Sequence, residues 1–163
     1  MLAIPLAIST ALVVITVAIH MAGLAALIGV MRARADHIQP FRNAWRQVGM
    51  ILLVILALFL IHTIQIWIWA AVYVWLDAFD TFEAALYYST SSFTTVGYGD
   101  LVPDQRWRIL GAIESANGFL LLGWSTAFLI SVVSRLRSIE FTWLEERFER
   151  KVEADTGQAG KPD

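Results

Sequence analysis

Thr94-Thr95-Val96-Gly97-Tyr98-Gly99-Asp100 lies between two long apolar runs, and the reading of this stretch decides the fold. In an ordinary strand successive carbonyls point to opposite sides. Aiming them all at one axis requires φ > 0 at alternate residues, which glycine adopts without steric cost. Gly97 and Gly99 stand at alternate positions. If several copies present this strand to a shared axis, the carbonyls of Thr95, Val96, Gly97 and Tyr98 and the Thr95 hydroxyl stack into rings of oxygen. Such rings would replace the water around a bare cation. Val96 and Tyr98 then point away from the axis and brace the strand against the protein behind it.

Working outward, the 163 residues are 58% hydrophobic and only 16% charged, a composition that suits a bilayer. Three stretches, about Ile4 to Met31, Val48 to Leu76 and Ile109 to Val133, are each long enough as helices to cross about 30 Å of hydrocarbon. Of the acids and bases that carry charge near neutral pH, the first holds only His20, the second only His62 and the third only Glu114. A cleaved leader does not fit the first run, because no Lys or Arg precedes it and its arginines follow it. The absence of cysteine excludes disulfides and thiol chemistry.

Arg32, Arg34, Arg42 and Arg46 separate the first two spans, and Arg135 and Arg137 follow the third, so these segments are expected on the cytoplasmic side. Asp77, Asp80, Glu83, Asp100 and Asp104 cluster in the connection that carries the quoted stretch, which is therefore expected outside, together with the N-terminus. Arg106 and Arg108 break the bias, with nearby acids or lipid phosphate as their expected partners.

The expected organisation is an extra N-terminal transmembrane helix over 1–31, a basic connection over 32–47 and a two-span module over 48–137. Within the module are an outer helix (48–76), a short helix (81–93), the extended stretch (95–99) and an inner helix (106–136). Pro40, Phe41 and Trp45 read equally as a short interfacial helix or as an irregular basic loop. Asp80-Thr81-Phe82-Glu83 resembles a capping box with Asp80 as N-cap. The helix after it spans about 20 Å, too short to cross, so it must dip in and return with the negative end of its dipole toward the 94–100 stretch. Irregular backbone at that depth is tolerated where protein surrounds it or it lines a water-filled path. Over 138–154, Phe141, Leu144, Phe148 and Val152 recur at helical spacing among charges, giving an amphipathic helix that bundles about the axis or lies on the inner leaflet. Residues 155–163 lack an apolar period and are expected to be unstructured.

With these residues in view, the region from about Val48 to Arg137 resembles the pore module of potassium channels, most closely the small bacterial type with two spans flanking a pore loop. The resemblance implies an all-α membrane protein of the bacterial inner or plasma membrane with a re-entrant pore helix, assembled as a homotetramer because one pore loop supplies a quarter of a filter. It implies K⁺ bound at Thr95, Val96, Gly97 and Tyr98, with Gly99 completing the filter, and membrane lipids as the surroundings. Tyr87 and Tyr88 stand where the family carries an aromatic pair that cuffs the filter, Tyr87 being the candidate partner of Asp100. Ser91 replaces the carboxylate or aliphatic residue found there in relatives, and Thr94 precedes the filter. Pro103 and Trp107 match a turn and a helix entry. The family's hinge glycine, nineteen residues after the filter aspartate, falls on Phe119, with Gly118 one place before and Gly123 four after. In one register Leu120, Gly123, Ala127 and Ser131 line the cavity and inner gate; a slip of one brings Trp124 into the path.

The first span lacks arginine at every third residue, so steep voltage gating is not expected, and neither is a cytoplasmic sensing domain. No cofactor, no nucleic acid and no enzymatic reaction is expected; His62 and Glu114 lie at different depths and no nucleophile or metal motif joins them. His62 and Gln65 are three apart on one face and suit a common neighbour. Glu114, about 12 Å below the outer end of its helix by rise from Arg106, is placed to bond Ser89 or Ser92 and couple the inner helix to the pore helix. For each of these polar groups, hydrogen bonding that only fixes packing is the plainer alternative. A non-conducting accessory subunit and a poorly selective cation pore are the rival readings of the chain as a whole.

Overall fold

The computed structural model describes the backbone of residues 2–35 and 44–159, with side chains over 2–33, at 45 and over 47–135. Four helices follow in order: α1 (Ala3–Ala35), α2 (Ala44–Trp75), α3 (Phe82–Phe93) and α4 (Arg108–Ala159). Among the described residues, α1, α2 and α4 are each long and apolar enough to cross a membrane. The expected interfacial element over 32–47 lies largely outside the described residues, and Trp45 belongs to the first turn of α2, where its ring is exposed.

One stripe of each helix makes the interior. On α1, Pro5, Ser9, Leu12, Thr16, His20, Leu24 and Leu27 are buried, a spacing of three and four that keeps them on one face. That face packs on both α2 and α4. An upper core gathers Leu12, Trp69, Tyr73, Ala85, Phe93, Leu110 and Leu121, and a lower one Leu24, Leu27, Val54, Leu58 and Val132. The opposite faces carry exposed Val14, Leu56, Phe59, Leu60 and Trp67, which suits lipid or neighbouring helices and not water.

Local chemistry sets the ends. At the close of α2, Ala78 N–H donates to the Tyr73 carbonyl (2.9 Å) and Asp77 N–H to that of Val74 (3.0 Å), a Schellman pattern. Asp77 takes the left-handed position with φ 51°, where glycine is usual. The N-cap of α3 is Thr81 and not Asp80: Thr81 is extended (φ −132°, ψ 150°), and its hydroxyl accepts from Ala84 N–H at 3.2 Å. The shift by one residue leaves Glu83 too early to close a capping box, but inside the first turn, where a carboxylate suits the positive helix end.

α4 differs most from expectation. It runs unbroken to Ala159, so the amphipathic segment over 138–154 continues the inner helix and the helix passes into the tail expected to be unstructured from 155. Proline, the strongest helix breaker, is absent between Arg108 and Ala159, and the stretch after Ile139 is rich in Glu and carries Arg147 and Arg150, all good helix formers.

Candidate functional site

Between the C-terminus of α3 and the turn at Pro103, the backbone follows an alternating course. Thr95, Gly97 and Gly99 all have positive φ, at 63°, 56° and 76°. The two glycines accept this freely, whereas a β-branched threonine is strained there. Sequence reasoning assigned left-handed geometry to the glycines only, because nothing in a threonine advertises it. The strand is tied to the end of α3 from behind: Thr95 N–H donates to the Ser92 carbonyl (3.0 Å) and Gly97 N–H to that of Ser91 (3.0 Å). The Ser91 hydroxyl accepts from Tyr98 N–H at 3.2 Å. Ser91 therefore holds two successive odd-and-even amides of the strand through two different oxygens. Thr94 is the C-cap of α3, and its hydroxyl returns to the Thr90 carbonyl at 2.7 Å.

Tyr87 and Tyr88 part company. The Tyr87 hydroxyl donates to Asp100 Oδ2 at 2.8 Å, bridging α3 to the end of the strand, and this bond holds the phenol proton on so that its pKa lies above the usual tyrosine value. Tyr88 faces the other way, with its ring edge-on to Tyr73 (5.2 Å) and beside Phe79 (5.0 Å). A Cβ at Gly111 would run into the Tyr88 hydroxyl. Tyr88 thus fastens α3 to α2 and α4 and does not cuff the strand within its own chain. Val96 and Tyr98, expected to brace the strand, are 54% and 73% exposed, so any wall behind them is not part of the same chain.

Glu114 is fully buried and joins three helices. One carboxyl oxygen accepts from the Tyr73 hydroxyl of α2 at 2.7 Å, and the other meets the Ser89 hydroxyl of α3. Ser89 also reaches the Ile66 carbonyl at 3.1 Å. Ser89 was expected from helical depth; Tyr73 was not, since its place on α2 opposite Glu114 depends on how the helices cross.

Along α4, the hinge and gate candidates fall into two sets. Gly118 is buried where α4 meets the end of α3, and a Cβ there would overlap the Phe93 backbone, so its small size serves close packing. Phe119, Leu120, Gly123, Ala127 and Ser131 are exposed in the single chain, and nothing lies within 4 Å of a Cβ placed at Gly123. Trp124 is partly exposed and has its ring 5.7 Å from that of His20.

Deeper in the bundle a polar junction links α1, α2 and α4. His62 and Gln65 bond one another directly, Nδ1 to Oε1 at 2.9 Å, instead of sharing a neighbour. Gln65 Nε2 donates to the Thr16 carbonyl at 3.0 Å, which leaves Oε1 to accept and therefore puts the hydrogen of a neutral His62 on Nδ1. His62 Nε2 then accepts from the Ser125 hydroxyl at 2.8 Å, and Asn117 Nδ2 donates to Thr16 Oγ1 at 2.9 Å. The His62 ring also lies 5.8 Å from Phe93, the last residue of α3. Thr16, Asn117 and Ser125 were not singled out from sequence; their one signal is that Thr16 and His20 share the buried stripe of α1.

Residues 59–135, from within α2 through the transmembrane part of α4, match the model of a family described as "Ion channel". No match was found among curated proteins or among solved structures.

Proposed function

We propose that this chain, whose residues 59–135 match an ion-channel family model, is a potassium-selective channel subunit whose filter is the Thr95 to Gly99 strand, assembled as a homotetramer in a bacterial plasma membrane. The single observation that carries the reading is the alternation of positive φ at Thr95, Gly97 and Gly99. Backbone strain in a β-branched residue persists only where its surroundings demand it, and it concentrates at functional positions. Alternate left-handed residues turn the carbonyls of Thr95, Val96, Gly97 and Tyr98 to one side, and four such strands make the oxygen rings that K⁺ needs when it sheds water. Exposure of every residue from Thr95 to Asp100 in the single chain supports assembly, because irregular backbone at membrane depth needs protein or a water path around it. Passive conduction asks for no cofactor and no catalytic group.

Purified protein in liposomes is expected to pass K⁺ and Rb⁺ far better than Na⁺ and to be blocked by Ba²⁺. Equal K⁺ and Na⁺ flux would identify a poorly selective pore, and tetramers without flux a non-conducting subunit. The arginine bias places the N-terminus outside and the C-terminus inside. Because the chain has no cysteine, single cysteines report this cleanly. Leu2→Cys, exposed ahead of α1, is expected to react with an impermeant thiol reagent from outside and Gln158→Cys to be protected; the reverse pattern overturns the orientation.

A further inference from the structure

His20 is the one group of the junction without a partner. It is fully buried, and neither ring nitrogen makes a hydrogen bond. Its ring lies 5.4 Å from that of His62 and tilted by only 30°, so the two imidazoles face each other across α1 and α2. Buried polar groups are nearly always satisfied, and an exception calls for a reason other than stability.

The surroundings suit neutral rings only. Thr16 on α1, Gln65 on α2, Phe93 at the end of α3, and Asn117, Trp124 and Ser125 on α4 pack about the pair, and none is acidic. The carboxylate of α4, Glu114, is engaged by Tyr73 and Ser89. A proton on His20 thus meets no acceptor and no counter-charge, and a proton on His62 Nε2 removes the acceptor that Ser125 now uses. Trp124 offers a ring face, but cation–π attraction is small beside the cost of an unpaired buried charge.

We propose that His20 and His62 form a proton-operated latch between α1 and the inner helix: neutral, the junction holds α4 against α1 and α2, and protonated, it releases α4 below Gly118 and increases conduction. The geometry gives the latch its leverage. Above it α4 is fixed by the close contact of Gly118 with Phe93, and between that contact and Ser125 Gly123 has open space on its free side, so release at Ser125 loosens the segment below, which carries Ala127 and Ser131. The extra helix α1 thereby acquires a task in a chain whose pore module lies in α2 to α4. The latch rests on the conducting role proposed above, yet its movement is measurable without conduction.

The test uses the full chain in lipid in steps from about pH 7.5 down to about pH 4, reaching below the ordinary range of histidine because this junction suits neutral rings only. K⁺ flux and amide hydrogen exchange of α1 residues 12–24 are measured for the wild type, His20→Phe and His20→Gln, all of which keep His37. In the wild type, acid is expected to raise flux about fivefold or more, the lower end of coupling between sites, and to speed exchange in α1. Both responses are expected to disappear in whichever His20 variant folds. Wild-type exchange that ignores pH, or an acid response retained in the variants, overturns the latch. Acid-dependent exchange abolished by His20 substitution in a protein that passes no ions upholds the latch and rejects the conducting role.

Discussion

In the liposome flux assay, Gly97→Ala is expected to abolish K⁺ selectivity or conduction altogether. Gly97 has φ +56°, and nothing in its own chain would touch an added Cβ, so the effect arises from the backbone and not from a clash within the chain. A left-handed residue with a Cβ costs about 1–2 kcal/mol, hence about 4–8 kcal/mol over the four strands of the proposed tetrameric filter, on top of the strain already present at Thr95. That sum is comparable with the stability of many whole domains, so the strands are expected to leave the alternating conformation. Full-length mutant protein that remains tetrameric and retains wild-type K⁺ over Na⁺ preference would show that the filter lies elsewhere.

The second large effect is expected at Glu114. Glu114→Leu strands the Tyr73 hydroxyl in a dry site between α2 and α4, and deprives Ser89 of one of its two partners. Each buried polar group left unpaired costs about 1–3 kcal/mol. Loss of tetramer on detergent gel filtration is the expected reading, with little recovered protein. Glu114→Gln preserves the junction: its oxygen still accepts from Tyr73, and its amide donates to Ser89, whose own hydrogen goes to the Ile66 carbonyl. This variant is expected to assemble and keep its selectivity, since the permeating ion meets backbone carbonyls and not this side chain. Its open probability or the pH dependence of gating is expected to change if the three-helix clamp couples α4 to α3. Single-channel records that match the wild type at every pH would leave Glu114 with a packing role alone.

Much of this arrangement was legible in residues 94–100 and their flanks. Length and apolarity marked the three spanning helices and a carboxylate within an apolar run marked Glu114 as a group needing partners, whereas the pairing of Tyr87 with Asp100 came from the family resemblance. These signals are local, because hydrophobic length, glycine and an unpaired charge each carry their meaning wherever the chain goes. The helix cap at Thr81 was missed by one residue, since Asp80 and Thr81 both cap well and only the φ and ψ of the turn choose between them.

What the sequence by itself determined was the set of helices, the strand that joins two of them and the residues whose burial demands hydrogen bonds. Tertiary structure alone decided the pairings: Tyr73 with Glu114, Tyr88 turned into the helix bundle, Asn117 with Thr16, and His62 at the meeting of α1, α2 and α4. It also decided that Gly118 serves close packing, because a small residue reads alike as a hinge or a contact until the neighbouring backbone is in place. The physical reason is range. A polar side chain in an apolar helix announces that it needs a partner, but the partner lies 25 residues away for Ser89 and Glu114 and 101 for Thr16 and Asn117, and only the crossing of the helices brings them together.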